Sequence, residues 1–237
     1  MADGELLVEL AGVVKDYRSL RPLRILRLEL RAGQSIALLG LDAAMAEVLV
    51  NLITGAQLPD EGEVRVFGRS TGAITAVDEW VAELDRFGLI SDRAVLVEQF
   101  TAEQNLALPI SLDIEVMPPP VRAQVLRLAS EVGLSADRMA VPTSALTPTD
   151  QLRLRLGRAL ALHPRVLLAE HPNALLAGEE SPSFARDFRR ISRDRGLATL
   201  LVTADATFAG AGADTVLELQ PATGALKRRS GLRRWFS

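Results

Sequence analysis

The 237 residues include two histidines, His163 and His171, and no cysteine. Thiolate nucleophiles, disulfides and Cys-ligated metals are therefore excluded, and a multi-histidine metal site lacks donors. Carboxylates, hydroxyls, guanidinium groups and an imidazole remain. Glu170 and His171 adjoin at the end of an apolar run, residues 165–169. An imidazole titrates near neutrality, so His171 suits a general base, and Glu170 has the donor chemistry of a metal ligand. Each also has a plain reading as a structural hydrogen-bonding group. Gly40 follows the apolar run SIALL and precedes a helical segment ending near Gly55. A glycine there lets backbone N–H groups face an anion, or simply turns the chain. Asp42, Glu47 and Asp92 read either as a new cation site or simply as carboxylates at positions no longer held neutral; the second is the plainer reading, and no metal site is expected. Tyr17 offers a ring for stacking or for local packing.

These residues need elements to hold them. Residues 6–14, 24–30 and 35–39 read as strands, the last apolar throughout as expected of a strand buried on both faces. A helix is predicted over about 46–54, with Gly55 at its C-terminal cap, then a turn at 59–62 and a strand over 63–67. The breaker MPPP (117–120) precedes an amphipathic helix over 121–132. The last third alternates: helix 149–162, strand 165–169, helix 182–195, strand 198–203 and strand 215–220. Such alternation means a mostly parallel sheet with helices on it. The expected fold is thus α/β, with an N-terminal antiparallel β region and a small helical lobe inserted at about 103–150.

Composition sets the outer limits. Hydrophobic residues make up 48% and aromatics 4%, so a core built mainly of Leu, Val, Ala and Ile is available. The net charge of −3 gives no reason to expect nucleic acid as partner. Residues 42–103 hold 12 acids against four arginines, whereas 227–237 hold five basic residues and no acid. That basic tail, with Leu232, Trp235 and Phe236, reads either as a solvated end or as an attachment to an anionic membrane surface. The apolar stretch 35–56 is interrupted by Asp42, Glu47 and Asn51, which rules it out as a membrane span.

The segment SIALLGLDAAMAEVLVNLITGAQLPDEGEV (35–64) resembles the phosphate-binding region of ABC transporter ATPase subunits, and the likeness runs over about residues 5–227. It implies a P-loop NTPase-like ABC ATPase fold, one domain over 1–226 with the lobe inserted, and a basic tail, 227–237. The family's loop reads G-x-x-G-x-G-K-[ST], whose glycines expose amides, whose Lys reaches the phosphates and whose hydroxyl binds Mg²⁺. Here Gly40 keeps the first glycine, Ala43 and Met45 take the next two, Ala46 takes the Lys position and Glu47 the Ser/Thr position. Losing the Lys removes a contact worth roughly 1.5–3 kcal/mol. A carboxylate ~4 Å from a phosphate charge costs about 4 kcal/mol at an effective dielectric near 20. The helix is therefore expected to start early and close the anion nest.

The other motifs are replaced as well. FTAEQNLALPI (100–110) resembles L-T-x-x-E-N-V-A-L-P, which places Asp92 at the metal- and partner-sensing Gln. The signature L-S-G-G-Q is Leu146, Thr147, Pro148, Thr149 and Asp150, followed by Arg153 and GRAL (157–160). Pro148 has no N–H for a phosphate, yet Thr147, Pro148 and Asp150 make a good helix start. In VLLAEHPNALLA, Glu170 stands for the metal-organising Asp, His171 for the water-activating Glu and Ala177 for a dimer-contacting Asp. In LVTADAT, Ala204 stands for the phosphate-sensing His. Tyr17 takes the place of the adenine-stacking aromatic.

The resemblance therefore implies a catalytically degenerate, ABC ATPase-like subunit, structural or regulatory in a membrane transport complex, with hydrolysis absent or very weak. Family subunits pair head to tail, each ATP lying between one phosphate loop and the other signature. With both halves altered here, pairing in that way leaves both sites defective. No cofactor is expected with confidence; ATP and Mg²⁺ belong to the alternative of an active ATPase with unorthodox site residues. A free-standing membrane-surface scaffold is a further alternative. The expected partners are a transmembrane permease, another ATPase subunit or a second copy. The expected place is the cytoplasm, peripheral to the inner face of the membrane.

Overall fold

The computed structural model describes residues 4–74, 76–176 and 178–229. Strands β1 (Leu6–Lys15) and β2 (Leu23–Arg31) pair antiparallel, and β4 (Glu61–Val66) joins the other side of β1, with the two-residue β5 (Arg69–Ser70) at its edge. The second sheet is built from β3 (Ser35–Leu39), β6 (Phe87–Ile90), β7 (Val166–Glu170), β8 (Ala198–Val202), β9 (Thr215–Gln220) and β10 (Ala225–Arg228). Its order is β10-β9-β3-β8-β7-β6, parallel except for β10. The expected α/β class, with its antiparallel N-terminal sheet, is what the chain adopts.

Side-chain alternation along the central strands feeds two cores. Ala37, Leu39, Leu167, Ala169 and Leu201 face one; Ile36, Leu38, Val166, Leu168, Leu200 and Val202 face the other. A strand covered on both sides has no polar face, hence SIALL and VLLA. The first core joins the sheet to helices α3 (Ala102–Ala107), α4 (Pro119–Val132), α5 (Pro148–Leu160), α6 (Glu180–Asp194) and α7 (Ala206–Gly212). The second packs the antiparallel sheet and α1 (Ala43–Ile53) against the opposite face. An eight-residue helix, α2 (Val77–Leu84), precedes β6 and buries none of its residues.

The helical region between β6 and β7 packs Val125, Leu128 and Val132 into the first core and is pinned at its start by a buried amide. Asn105 is fully buried; its Nδ2 donates to Val97 O and Thr143 Oγ1, each at 2.9 Å, and its Oδ1 accepts from Val97 N at 3.0 Å. Thr101 and Gln104 cap the start of α3 reciprocally. Among the described residues no helix is long and apolar enough to cross a membrane. Lys227 and Arg228 belong to β10 and pair with Glu218 and Leu217, so the basic run begins inside the sheet. Its residues 230–237, including the three apolar anchors, lie outside the described residues, as does Ala177.

Candidate functional site

Gly40 turns the chain from β3 into α1 with φ 85, and a Cβ there would stand 3.1 Å from Leu219 O. Both facts favour glycine. Two residues on, the chain caps its own helix. Asp42 accepts from Met45 N–H at 2.8 Å through Oδ1, and its carbonyl takes Ala46 N–H at 2.9 Å. α1 begins at Ala43, ahead of the expected Ala46, because Asp42 is a strong N-cap and DAAMAE has no glycine to oppose the helix. The Ala46 methyl is fully buried in the second core, and Met45 packs against that core as Tyr17 does.

Glu47 points out, with a side chain 49% exposed. It meets Arg93, whose Nη1 lies 3.5 Å from Glu47 Oε1 and bonds Asn51 Oδ1 at 2.9 Å. Arg93 Nη2 also donates to Glu170 Oε1. Glu170 ends β7 with a side chain only 9% exposed. Burial pushes its carboxyl above the usual carboxylate range, and Arg93 pulls the other way. Asp92 is 83% exposed and pairs with Arg155 at 2.7 Å.

His171 follows with φ 42, a left-handed backbone unusual for a residue with a Cβ. Its N–H donates to Val202 O at 2.8 Å, while its Nε2 is buried without a partner. A small cavity of about 20 Å³, room for a single water, gathers Asp92, Pro148, Arg155, Glu170 and His171. Of residues 146–150 only Pro148 lines it, so that segment meets Glu170 and His171 at a single residue. Leu146 is buried; Thr147 caps α5 by accepting from Asp150 N at 3.1 Å, Thr149 bonds Glu180, and Asp150 lies 3.7 Å from Arg138. Ala204 is exposed on the loop beyond β8, and Asp205 caps α7. The residue sequence reasoning missed is Arg93. It sits next to a motif position, not on one, and only the fold brings it to Glu47 and Glu170.

The donor set does not fit a triphosphate gripped in the usual way. The Met45 amide is already bonded to a carboxylate, a buried methyl stands for the ammonium, and Glu47 adds negative charge. No group of three or more His, Asp or Glu able to hold a metal occurs among the described residues.

Residues 23–174 match the sequence profile of the ABC transporter family. The macrolide export ATP-binding/permease protein MacB of Salmonella typhimurium is 32% identical over 223 residues, which cover 90% of this chain and 33% of MacB. The methionine import ATP-binding protein MetN of Mesorhizobium japonicum is 33% identical over 74% of this chain and 47% of MetN. The lipoprotein-releasing system ATP-binding protein LolD of Porphyromonas gingivalis is 26% identical over 91% of this chain and 97% of LolD. The chain therefore spans about a third of MacB and nearly all of LolD. Among solved structures, the dimeric ABC cassette MJ0796 superposes with a TM-score of 0.77 at 22% identity, covering 97% of this chain and all of that one. The cbiO1 protein of Clostridium perfringens, part of the cbiONQ transporter complex, superposes at 0.79 with 15% identity, covering 94% and 87%.

One expectation is corrected by these likenesses. No cofactor is expected from the altered motifs, but the relatives are named ATP-binding proteins, and MJ0796 was also solved with ADP and Pi. They point to nucleotide with Mg²⁺, not to the absence of a cofactor. The error lay in equating a weakened phosphate loop with no ligand. The match over 152 residues, 23–174, and the shared fold place the chain in the ABC transporter family of ATP-binding cassettes.

Proposed function

We propose that this chain is an ATP-binding subunit of a membrane transport complex whose ATP hydrolysis is absent or very weak, and that its role in the complex is structural or regulatory. The observation that carries the reading is the chemistry at the start of α1: Asp42 on the Met45 amide, a buried Ala46 methyl and an acidic Glu47. Nucleotide remains the ligand; these replacements loosen the hold on its phosphates, and with it turnover. In this reading Tyr17, Gly40, Ala46, Glu47 and Asp92 lie on the nucleotide side and Leu146–Asp150 on the signature side. Glu170, His171 and Ala204 hold the hydrolytic positions. Residues 1–226 form one cassette with the lobe at about 103–150 inserted.

The partners follow from the relatives' names and titles: a transmembrane permease, as in the ATP-binding/permease protein MacB, and a second cassette, as in the MJ0796 dimer. The cassette would then lie in the cytoplasm against the membrane. Because both the phosphate-loop and signature halves are altered, a head-to-tail pair with an intact cassette leaves neither shared site whole. Phosphate release from Mg-ATP, measured on the purified chain alone and with its partner, tests this. Background release by the chain alone is expected, and robust hydrolysis would end the reading. A second reading, an active ATPase with unorthodox residues, has one observation in its favour, the unpartnered His171 Nε2 beside Glu170. It requires turnover that is lost in His171→Ala.

A further inference from the structure

Helix α6 has two unlike faces. Phe184, Phe188 and Ile191 enter the first core, while Arg186, Arg190 and Arg193 stand exposed. Arg189 and Arg193 reach off the helix to Asp214, just ahead of β9. Arg189 Nε donates to Asp214 Oδ1 at 3.0 Å, and Arg193 Nη2 lies 3.5 Å from the same oxygen. Beyond β10 the Arg229 N–H donates to Val216 O at 2.9 Å, two residues past Asp214. Val216 packs against the first core, whereas Leu217 and Leu226 pack against the second. Alternation therefore puts Lys227 and Arg229 on the sheet face that carries α6. The chain thus leaves the sheet beside the arginines of that helix.

Cations outnumber acids there. Asp187, Asp194 and Asp214 are shared among Arg153, Arg189, Arg190 and Arg193. Arg186, Lys227, Arg228 and Arg229 are exposed and form no ion pair among the described residues. The whole chain carries a net charge of −3, so this positive surplus is local. Residues 230–237 add Arg233 and Arg234 in sequence, next to Leu232, Trp235 and Phe236. Cations attract phosphate headgroups, and apolar and aromatic residues beside them leave water at the acyl boundary. A duplex nucleic acid would use the cations and leave Leu232 and Phe236 in water. We propose that this end of the molecule, from the α6 arginines through residues 230–237, binds an anionic lipid surface directly, with no permease between. Each basic residue near such a surface contributes about fivefold to affinity, and salt screens the attraction. This inference depends neither on ATP turnover nor on a partner subunit.

The test is co-sedimentation of the full chain with vesicles of phosphatidylcholine alone or of phosphatidylcholine mixed with phosphatidylglycerol. Thermal melts confirm that each variant is folded. Binding to the mixed vesicles alone is expected, and it should weaken at least about tenfold in high salt. Arg186→Gln/Lys227→Gln/Arg229→Gln removes three unpaired charges and is expected to bind at least about tenfold more weakly. Removal of residues 230–237 is expected to cost as much. If the triple variant does not fold, Arg186→Gln alone decides, with an expected loss of about fivefold. Equal binding to both kinds of vesicle, including none to either, overturns the proposal. So does wild-type affinity in the arginine and lysine variants, or in the shortened chain. Binding to a DNA duplex as tight as to the mixed vesicles overturns the choice of lipid.

Discussion

At the scale of the residue, Glu170 has the most definite electrostatic signature. Its folded-state carboxyl is held above the ordinary range by burial, against the pull of Arg93. In the window between its ordinary and raised values the native state binds more protons than the unfolded one, so its contribution to stability falls as pH rises. Glu170→Gln removes that titration. The stability of the variant relative to the wild-type chain is therefore expected to improve from acid toward neutral pH, read from urea midpoints at each pH. A relative stability that is flat or moves the other way would contradict the assignment. Much of the site was legible one residue at a time: Gly40 at its turn, Thr147 as a cap, and Glu170 beside His171. Arg93 was not, because nothing in its own neighbourhood says that Glu47 and Glu170 will come to it. Tyr17 was half legible: it packs, partly buried, against the second core.

At the scale of the element, the strands were read from continuous apolar runs, and β3 and β9 span the residues that periodicity gave. The start of α5 was written in Thr147, Pro148 and Asp150, whose capping bond is present. The misses share a cause. β6 is four residues long, α3 six and α7 seven, too short for a periodic pattern to rise above chance. α2 is the exception: Val77, Trp80, Val81 and Leu84 stand at helical spacing and were legible, although the helix buries none of them fully. Beside its apolar contacts the lobe is pinned by Asn105, with three good hydrogen bonds in a dry setting. Asn105→Ala leaves the Val97 amide unpaired, while the Val97 carbonyl keeps the Phe100 N–H, and it is expected to cost about 2 kcal/mol in urea unfolding. A loss under about 1 kcal/mol would show that the lobe is held by its apolar contacts alone.

At the scale of the molecule, the sheet order, the helices on its faces and the inserted lobe are those of an ATP-binding cassette. The apolar patterning of β3, β7 and β8 and the cap of α5 are set by packing, so they were legible without reference to the chemistry of the site. The central claim is that the replaced motif residues remove the hydrolytic step while leaving a partner-ready cassette. It is tested most directly by a single-turnover assay: the full chain in excess over radiolabelled ATP with Mg²⁺, quenched over time and resolved for inorganic phosphate. The account predicts phosphate formation no faster than in buffer alone. Conversion of the bound ATP at about 1 per second, within the ordinary range of enzymes, would contradict it.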